Sequence, residues 1–131
     1  MSYVGIVLIS HSRDIVRGLE ALLRQIQKDV PLAIAGGTEA DEIGTDMFDI
    51  KKAIESVYSD KGVVILFDLG SALLNAEMAI ETLEGEPNIK IADAPLVEGA
   101  YAAIVESGIG GTIDDVVAAA EGAKHLEKIQ S

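Results

Sequence analysis

The stretch Tyr3-Val4-Gly5-Ile6-Val7-Leu8-Ile9-Ser10-His11-Ser12-Arg13 decides the architecture. Its apolar run is continuous from Tyr3 to Ile9, as in a parallel strand covered on both faces. It stops at Ser10-His11-Ser12. A helical pattern follows at once, with Ile15, Leu19, Leu22, Leu23 and Ile26 as its apolar stripe. A strand feeding directly into a helix opens a β-α-β unit, so His11 falls at a strand's carboxyl end. In open α/β sheets that edge is where ligands and chemistry sit. The chain has no cysteine and one other histidine, His125, in a C-terminal helical pattern. His11 is therefore the leading candidate for chemistry at neutral pH; the alternative is a strand-end histidine that only satisfies a backbone carbonyl.

Working outward, three more short apolar runs appear: Leu32–Ala35, Val63–Phe67 and Ile89–Ala92. A second helix carries Met47, Ile50, Ile54, Val57 and Tyr58. A third opens at Ser71 with Leu74, Met78 and Leu83 inward. The fourth runs from Pro95, placed in its first turn, to a stop at Gly108. The fifth follows Thr112, an N-cap with Asp115 three residues on, and carries Val116, Ala119, Ala120 and Ala123. The alternation predicts an α/β fold: a doubly wound, mostly parallel four-stranded sheet of order 2-1-3-4, with helices on both faces. Its switch point lies between the first and third strands. That topology makes neighbours of the loop holding Ser10-His11-Ser12 and the loop holding Asp68-Leu69-Gly70-Ser71.

Composition bounds the function classes. The 131 residues are enough for one core, and with 49% hydrophobic and 24% charged residues the chain is globular. We expect a single domain over residues 1–131. A formal net charge of −12 argues against a nucleic-acid or anionic-membrane partner and favours a basic protein partner. The absence of cysteine excludes a disulfide scaffold and thiolate metal sites, which suits the cytoplasm. The N-terminal apolar run is too short to span a membrane and lacks the marks of a leader.

The neighbouring loops have a chemical logic. A histidine nucleophile needs one ring nitrogen free and the other held as a donor, and a carboxylate fixes that tautomer. Asp68 can do this for His11; its alternative is a turn former or cap. Gly70 and Ser71 open a helix whose first N–H groups favour an anion, and Ser12 stands at a second such terminus; either serine can instead be a plain cap. Gly36, Gly37 and Thr38 begin a ten-residue segment, Gly36–Thr45, on the same sheet edge. Those three residues suit a lid, or ordinary turn chemistry. No Walker loop is present, and no His/Asp/Glu set has metal spacing, so we expect neither cofactor nor metal. Arg13 can steady a phosphoryl group or meet an acidic partner, although exposed first-turn arginines are common. Asp93 and Glu98 read as helix-start acids, and His125 as a surface or capping residue.

The ordered set Gly5-Ile6-Val7-Leu8-Ile9-Ser10-His11-Ser12, Ala35-Gly36-Gly37-Thr38, Leu66-Phe67-Asp68-Leu69-Gly70-Ser71 with Asn75-Ala76-Glu77, and Asp93-Ala94-Pro95-Leu96-Val97-Glu98-Gly99 resembles the mannose-type IIA domains of the bacterial phosphoenolpyruvate-dependent phosphotransferase system. The resemblance covers essentially the whole chain. Sugar-specific members have a paired glycine before the strand-3 serine. Leu69 with a single Gly70 favours the dihydroxyacetone branch instead.

The resemblance implies that His11 takes phosphoryl on Nε2 from the histidine-containing phosphocarrier protein, with Asp68 orienting it and Ser71 on the phosphate side. In that branch phosphoryl passes on to ADP held by the nucleotide-binding subunit of dihydroxyacetone kinase. A homodimer is also implied. Sugar-specific members exchange a C-terminal strand between mates, but here a helix follows Thr112. The other readings are a mannose-type sugar IIA component, a non-catalytic interaction subunit, and a receiver domain, which would need clustered acids where Ser10-His11-Ser12 stands. Charge reversal at Arg13 or Arg17 is expected to alter transfer, and reversal at Glu121 or Lys128 is not.

Overall fold

The computed structural model describes residues 2–38, 40, 42–85 and 88–129. Its elements are β1 (Gly5–Ser10), α1 (Arg13–Ile26), β2 (Leu32–Gly36), α2 (Met47–Val57), β3 (Val63–Phe67), α3 (Ser71–Glu81), β4 (Ile89–Ile91), α4 (Leu96–Gly108) and α5 (Ile113–Gly122), then a 3-10 turn at Ala123–His125. The strands form one parallel sheet ordered β2-β1-β3-β4, the predicted order.

The continuous apolar strands are explained by two cores. Ile6, Leu8, Val64 and Leu66 pack under α1, α4 and α5, together with Val16, Leu23, Ile104 and Val116. Val7, Ile9, Val63 and Ile65 point the other way, onto Ile50, Ile54 and the alanines of α3. Successive residues of β1 thus serve opposite layers, and the strand can spare no polar position until Ser10.

Two helices depart in part from the predicted face. In α1 Leu19 and Leu23 are buried as predicted and Val16 joins them, while Ile15, Leu22 and Ile26 are exposed. The helix is apolar over a wider arc than one sheet can cover, so the sequence pattern alone admitted two rotations. In α3 the sheet-facing residues are Ala72, Ala76 and Ala79; Leu74 and Met78 face out, and only Leu83, beyond the helix, is buried as predicted. Small side chains let α3 lie close to its neighbours, which a rule that puts large residues inward misses. Smaller shifts follow the hydrogen bonding. The Val4 carbonyl is taken by the Ser107 hydroxyl at 2.7 Å, and β1 starts at Gly5, two residues after the predicted Tyr3. Pro95 is the N-cap of α4, not part of its first turn. Thr112 and Asp115 form a reciprocal capping box at α5, as expected.

The fourth family segment has a packing reason at Gly99. A Cβ there would lie 2.8 Å from Ala94 Cβ and 3.0 Å from Leu66 Cδ2. Gly99→Val should therefore cost about 1–3 kcal/mol through overpacking. Urea denaturation measures it; an unchanged midpoint would mean that α4 does not sit this tightly on β3.

The β2 edge is guarded. Ile6 N–H donates to Pro31 O, so in the parallel register Leu32, Ile34 and Gly36 turn their backbone groups outward. Arg24 donates to Leu32 O at 3.0 Å and Arg13 Nε to Gly36 O at 3.0 Å. Two outward carbonyls of an edge strand are thus capped from α1, a device that discourages strand addition.

Candidate active site

Parallel pairing of Ile9 with Phe67 places the next residues of both strands side by side. Asp68 N–H donates to Ile9 O at 3.1 Å, continuing the ladder one step past β3. Ser10, His11 and Asp68 meet there.

Asp68 is held by four donors, two on each oxygen. His11 Nδ1 and the Leu69 N–H reach Oδ1 at 2.9 and 2.7 Å. The Ser10 hydroxyl and the His11 backbone N–H reach Oδ2 at 2.8 and 3.0 Å. Burial alone would push the carboxyl upward. The bonds from the His11 N–H, the His11 ring, Ser10 and Leu69 outweigh it and hold the group below the usual carboxylate range. Asp68 is thus an anion and accepts only, so Nδ1 carries a hydrogen, and in the neutral ring Nε2 is left with the lone pair. The Ser71 hydroxyl, 2.6 Å from Nε2, donates to that lone pair.

The candidate phosphate ligands fall into two groups. Gly70 is the N-cap of α3 and Ser71 its first helical residue, so Ser71 is not the cap that one reading proposed. Leu69 and Gly70 carbonyls already receive the N–H groups of Ala72 and Leu73. The N–H groups of Gly70 and Ser71 have no acceptor among the described residues, beside His11 Nε2. Ser12 is the N-cap of α1, but its side chain makes no capping bond and its N–H is taken by Ser10 Oγ at 3.0 Å.

Among the described residues, the segment after β2 is tied to the site by a backbone hydrogen bond. Gly44 N–H donates to the His11 carbonyl at 2.8 Å, and Asn75 reaches Thr45 Oγ1 at 2.6 Å. Gly36 closes β2, where a Cβ would come 2.7 Å from Val16 Cγ2; Gly37 has a positive φ of 73°. Thr38 O accepts from Arg13. Glu39 and Asp41 of this segment lie outside the described residues. Arg13 is accordingly a structural clamp between α1 and this segment. His125 is exposed in the final turn, on a different element from the site. Sequence reading passed over Ser10, the Leu69 N–H and the Asn75–Thr45 bond. Only Ser10 left a signal, a polar residue at an inward strand position.

The surroundings are shallow. A hollow of about 80 Å³ is lined by Ser12, Arg13, Asp14, Glu42 and Ile43, while a groove of about 440 Å³ lies apart from His11, against β2, with Arg17, Asp49 and Lys52. Leu69 and Ile43 beside the site are 61% and 75% exposed, an apolar rim left uncovered among the described residues. Among the described residues no helix is long and apolar enough to cross a membrane.

Residues 5–117 match the family model EIIA-man, described as PTS system fructose IIA component. The chain belongs to this family. It is 45% identical over 98 residues to the phosphoryl donor subunit DhaM of PEP-dependent dihydroxyacetone kinase 1 of Listeria innocua, covering 75% of this chain and 77% of that one. It is 38% identical over 133 aligned positions to the DhaM of Klebsiella michiganensis, covering 97% of this chain but only 28% of that protein's length. Among solved structures, the crystal structure of EF1359, a protein of unknown function, superposes with a TM-score of 0.83 at 32% identity, covering 93% of this chain and 95% of that one.

Proposed function

We propose that this chain is a single IIA domain over residues 1–131. In this reading it acts as a cytoplasmic phosphohistidine carrier, which takes phosphoryl from the histidine-containing phosphocarrier protein and passes it to ADP on the nucleotide-binding subunit of dihydroxyacetone kinase. One observation carries the reading: Nδ1–H is bound to an ionised Asp68, which leaves the Nε2 lone pair at the exposed helix start of Ser71.

The steps follow from that geometry. The Nε2 lone pair attacks the donor's phosphorus; the donor's N–P bond breaks and its electron pair returns to the donor imidazole. The Nδ1 proton stays in place, so the ring charge formed faces the Asp68 carboxylate. Ser71 must release Nε2 as phosphorus arrives, and its hydroxyl and N–H, with the Gly70 N–H, are then free for the phosphoryl oxygens. Ser12 is a second-line ligand through its hydroxyl. In the return step a terminal oxygen of ADP attacks, giving ATP and restoring the lone pair. Gly36, Gly37 and Thr38 act as a lid only if the Arg13 clamp opens. The DhaM relatives support the dihydroxyacetone branch over sugar uptake. The exposed α4 stripe of Val97, Tyr101 and Val105 supports a homodimer. Incubation with phosphoenolpyruvate and the two general phosphotransferase proteins, followed by intact mass, tests the reading: one added phosphoryl group is expected, and none would refute it.

The shallow, apolar-rimmed site suits a protein donor. Leu69→Asp and Arg17→Glu should each raise the donor concentration needed for half-maximal transfer, by about tenfold for a lost contact of some 1.4 kcal/mol. Lys61→Glu, an exposed residue at the opposite sheet end, should not. Glu121 and Lys128 make poor controls, since Glu121 accepts from Asp93 N–H and Lys128 pairs with Glu98 at 2.7 Å. Equal effects from all three variants would move the docking face elsewhere.

A further inference from the structure

Two polar side chains among the described residues are fully buried, Ser10 and Ser107. Ser107 closes a backbone carbonyl, Val4 O, and touches nothing reactive. Ser10 differs: its hydroxyl donates to Asp68 Oδ2 at 2.8 Å and its oxygen accepts the Ser12 N–H at 3.0 Å. We propose that Ser10 is a positioning residue for His11, acting through Asp68.

A carboxylate can turn about its last bond. To hold Oδ1 toward Nδ1, the other oxygen must be fixed. Oδ2 has two donors, the His11 backbone N–H and Ser10. Ser10 is the one whose direction is set from outside the pair. One of its lone pairs accepts the Ser12 N–H, which anchors the oxygen, while its hydrogen points at Asp68 Oδ2. The resulting chain runs from the Ser12 N–H through Ser10 and Asp68 to His11 Nδ1 and ends at Ser71 on Nε2. Hydrogen bonds in such a chain polarise one another. Through it the start of α1 is linked to the nucleophile without touching it. Without the Ser10 hydroxyl, Oδ2 keeps only the His11 backbone N–H, the carboxylate is held by one backbone N–H on each oxygen, and its hold on the Nδ1–H tautomer weakens.

The role rests on the proposed phosphoryl transfer, but it can be read from the ring itself. Ring ¹⁵N shifts of His11 should report hydrogen on Nδ1 in the wild type and a growing share on Nε2 in Ser10→Ala. Phosphoryl uptake at saturating donor should fall about tenfold, the worth of one buried hydrogen bond to a charged group. Ser10→Thr keeps a hydroxyl and should restore most of both. Should Ser10→Ala fail to fold, Ser10→Cys keeps the volume with a weak donor and should show the same ring change. Ser107→Ala is the structural control: it should lower the melting temperature with rate and ring shifts unchanged. Wild-type shifts and rate in Ser10→Ala overturn the proposal, as does an equal slowing in Ser107→Ala. If the wild type takes no phosphoryl at all, the carrier reading falls, while the ring comparison still decides the role of Ser10.

Discussion

His11→Ala is expected to give a folded protein that takes up no phosphoryl group. The wild-type label should be acid-labile and base-stable, as a phosphoramidate is, and the variant should carry none under identical incubation. The expectation is absolute because nothing nearby can substitute. Ser71 is within reach of the site, but a serine hydroxyl without a base is a poor nucleophile at neutral pH, and its base would be the ring that has been removed. Asp68 is committed to four hydrogen bonds, two of which come from His11. The other imidazole, His125, is exposed in the terminal turn and has no hydrogen-bonded carboxylate among the described residues. The fold should survive. The His11 side chain belongs to neither core, and its backbone N–H still donates to Asp68 in the alanine variant. Loss of the ring leaves Oδ1 with the Leu69 N–H, at a cost of about 1–3 kcal/mol for a partly unsatisfied charged acceptor. Intact mass and circular dichroism on the same sample check both halves. A label persisting on the variant, or mapping to His125, would end the assignment.

The distinction between what a side chain is and where it points also marks how far the sequence could be read. The sheet order was legible because it follows from alternation: four continuous apolar runs separated by helical patterns leave few topologies, and β2-β1-β3-β4 is the compact one. That order alone brought His11 to Asp68. The rotation of α1 about its axis was only partly legible. Leu19 and Leu23 face inward as expected, but Ile15, Leu22 and Ile26 widen the apolar arc, and Val16 rather than these takes the remaining inward place. In α3 the inward face is alanine, which hydrophobic ranking discounts, although Ala72, Ala76 and Ala79 recur at helical spacing. At the site, residue types gave the nucleophile and its carboxylate. The four-donor cradle around Asp68 was hidden because two donors are backbone N–H groups, which every residue has and no sequence displays. Ser10 was visible as a residue, but its partner depends on register. The contacts of Arg13 were hidden for the same reason: they go to backbone carbonyls, Gly36 O at the end of the edge strand and Thr38 O beyond it, which come within reach only after assembly.

Asp68→Asn should keep the fold and slow phosphoryl uptake by about ten- to ten-thousand-fold, the range from a displaced orienting group to a lost triad carboxylate. The pattern of donors makes the argument stronger than loss of charge alone. Each oxygen of Asp68 receives two donors, and in each pair one is a backbone N–H that cannot turn away. An amide has one oxygen and one NH2. With its oxygen toward Oδ2's place, its NH2 faces the Leu69 N–H and Nδ1, and the ring can accept only by moving its hydrogen to Nε2, which removes the attacking lone pair. With its oxygen toward Nδ1, the tautomer is kept, but the NH2 opposes the His11 N–H and meets a Ser10 already bound to Ser12. Neither orientation supplies the negative charge that faces the phosphorylated ring. The ¹⁵N spectrum of His11 should therefore show mixed tautomers where the wild type shows one. Stability should respond to acid in a matching way. The Asp68 carboxyl is held below its unfolded value, so its contribution is present above the ordinary carboxylate range and is lost as pH falls through the folded value. The wild type should exceed Asp68→Asn in urea midpoint at neutral pH, with the gap closing as pH falls below the ordinary carboxylate range. Uptake at the wild-type rate in Asp68→Asn, or a base-labile acyl phosphate on Asp68 in the wild type, would show that this carboxylate does not serve as the orienting group of His11.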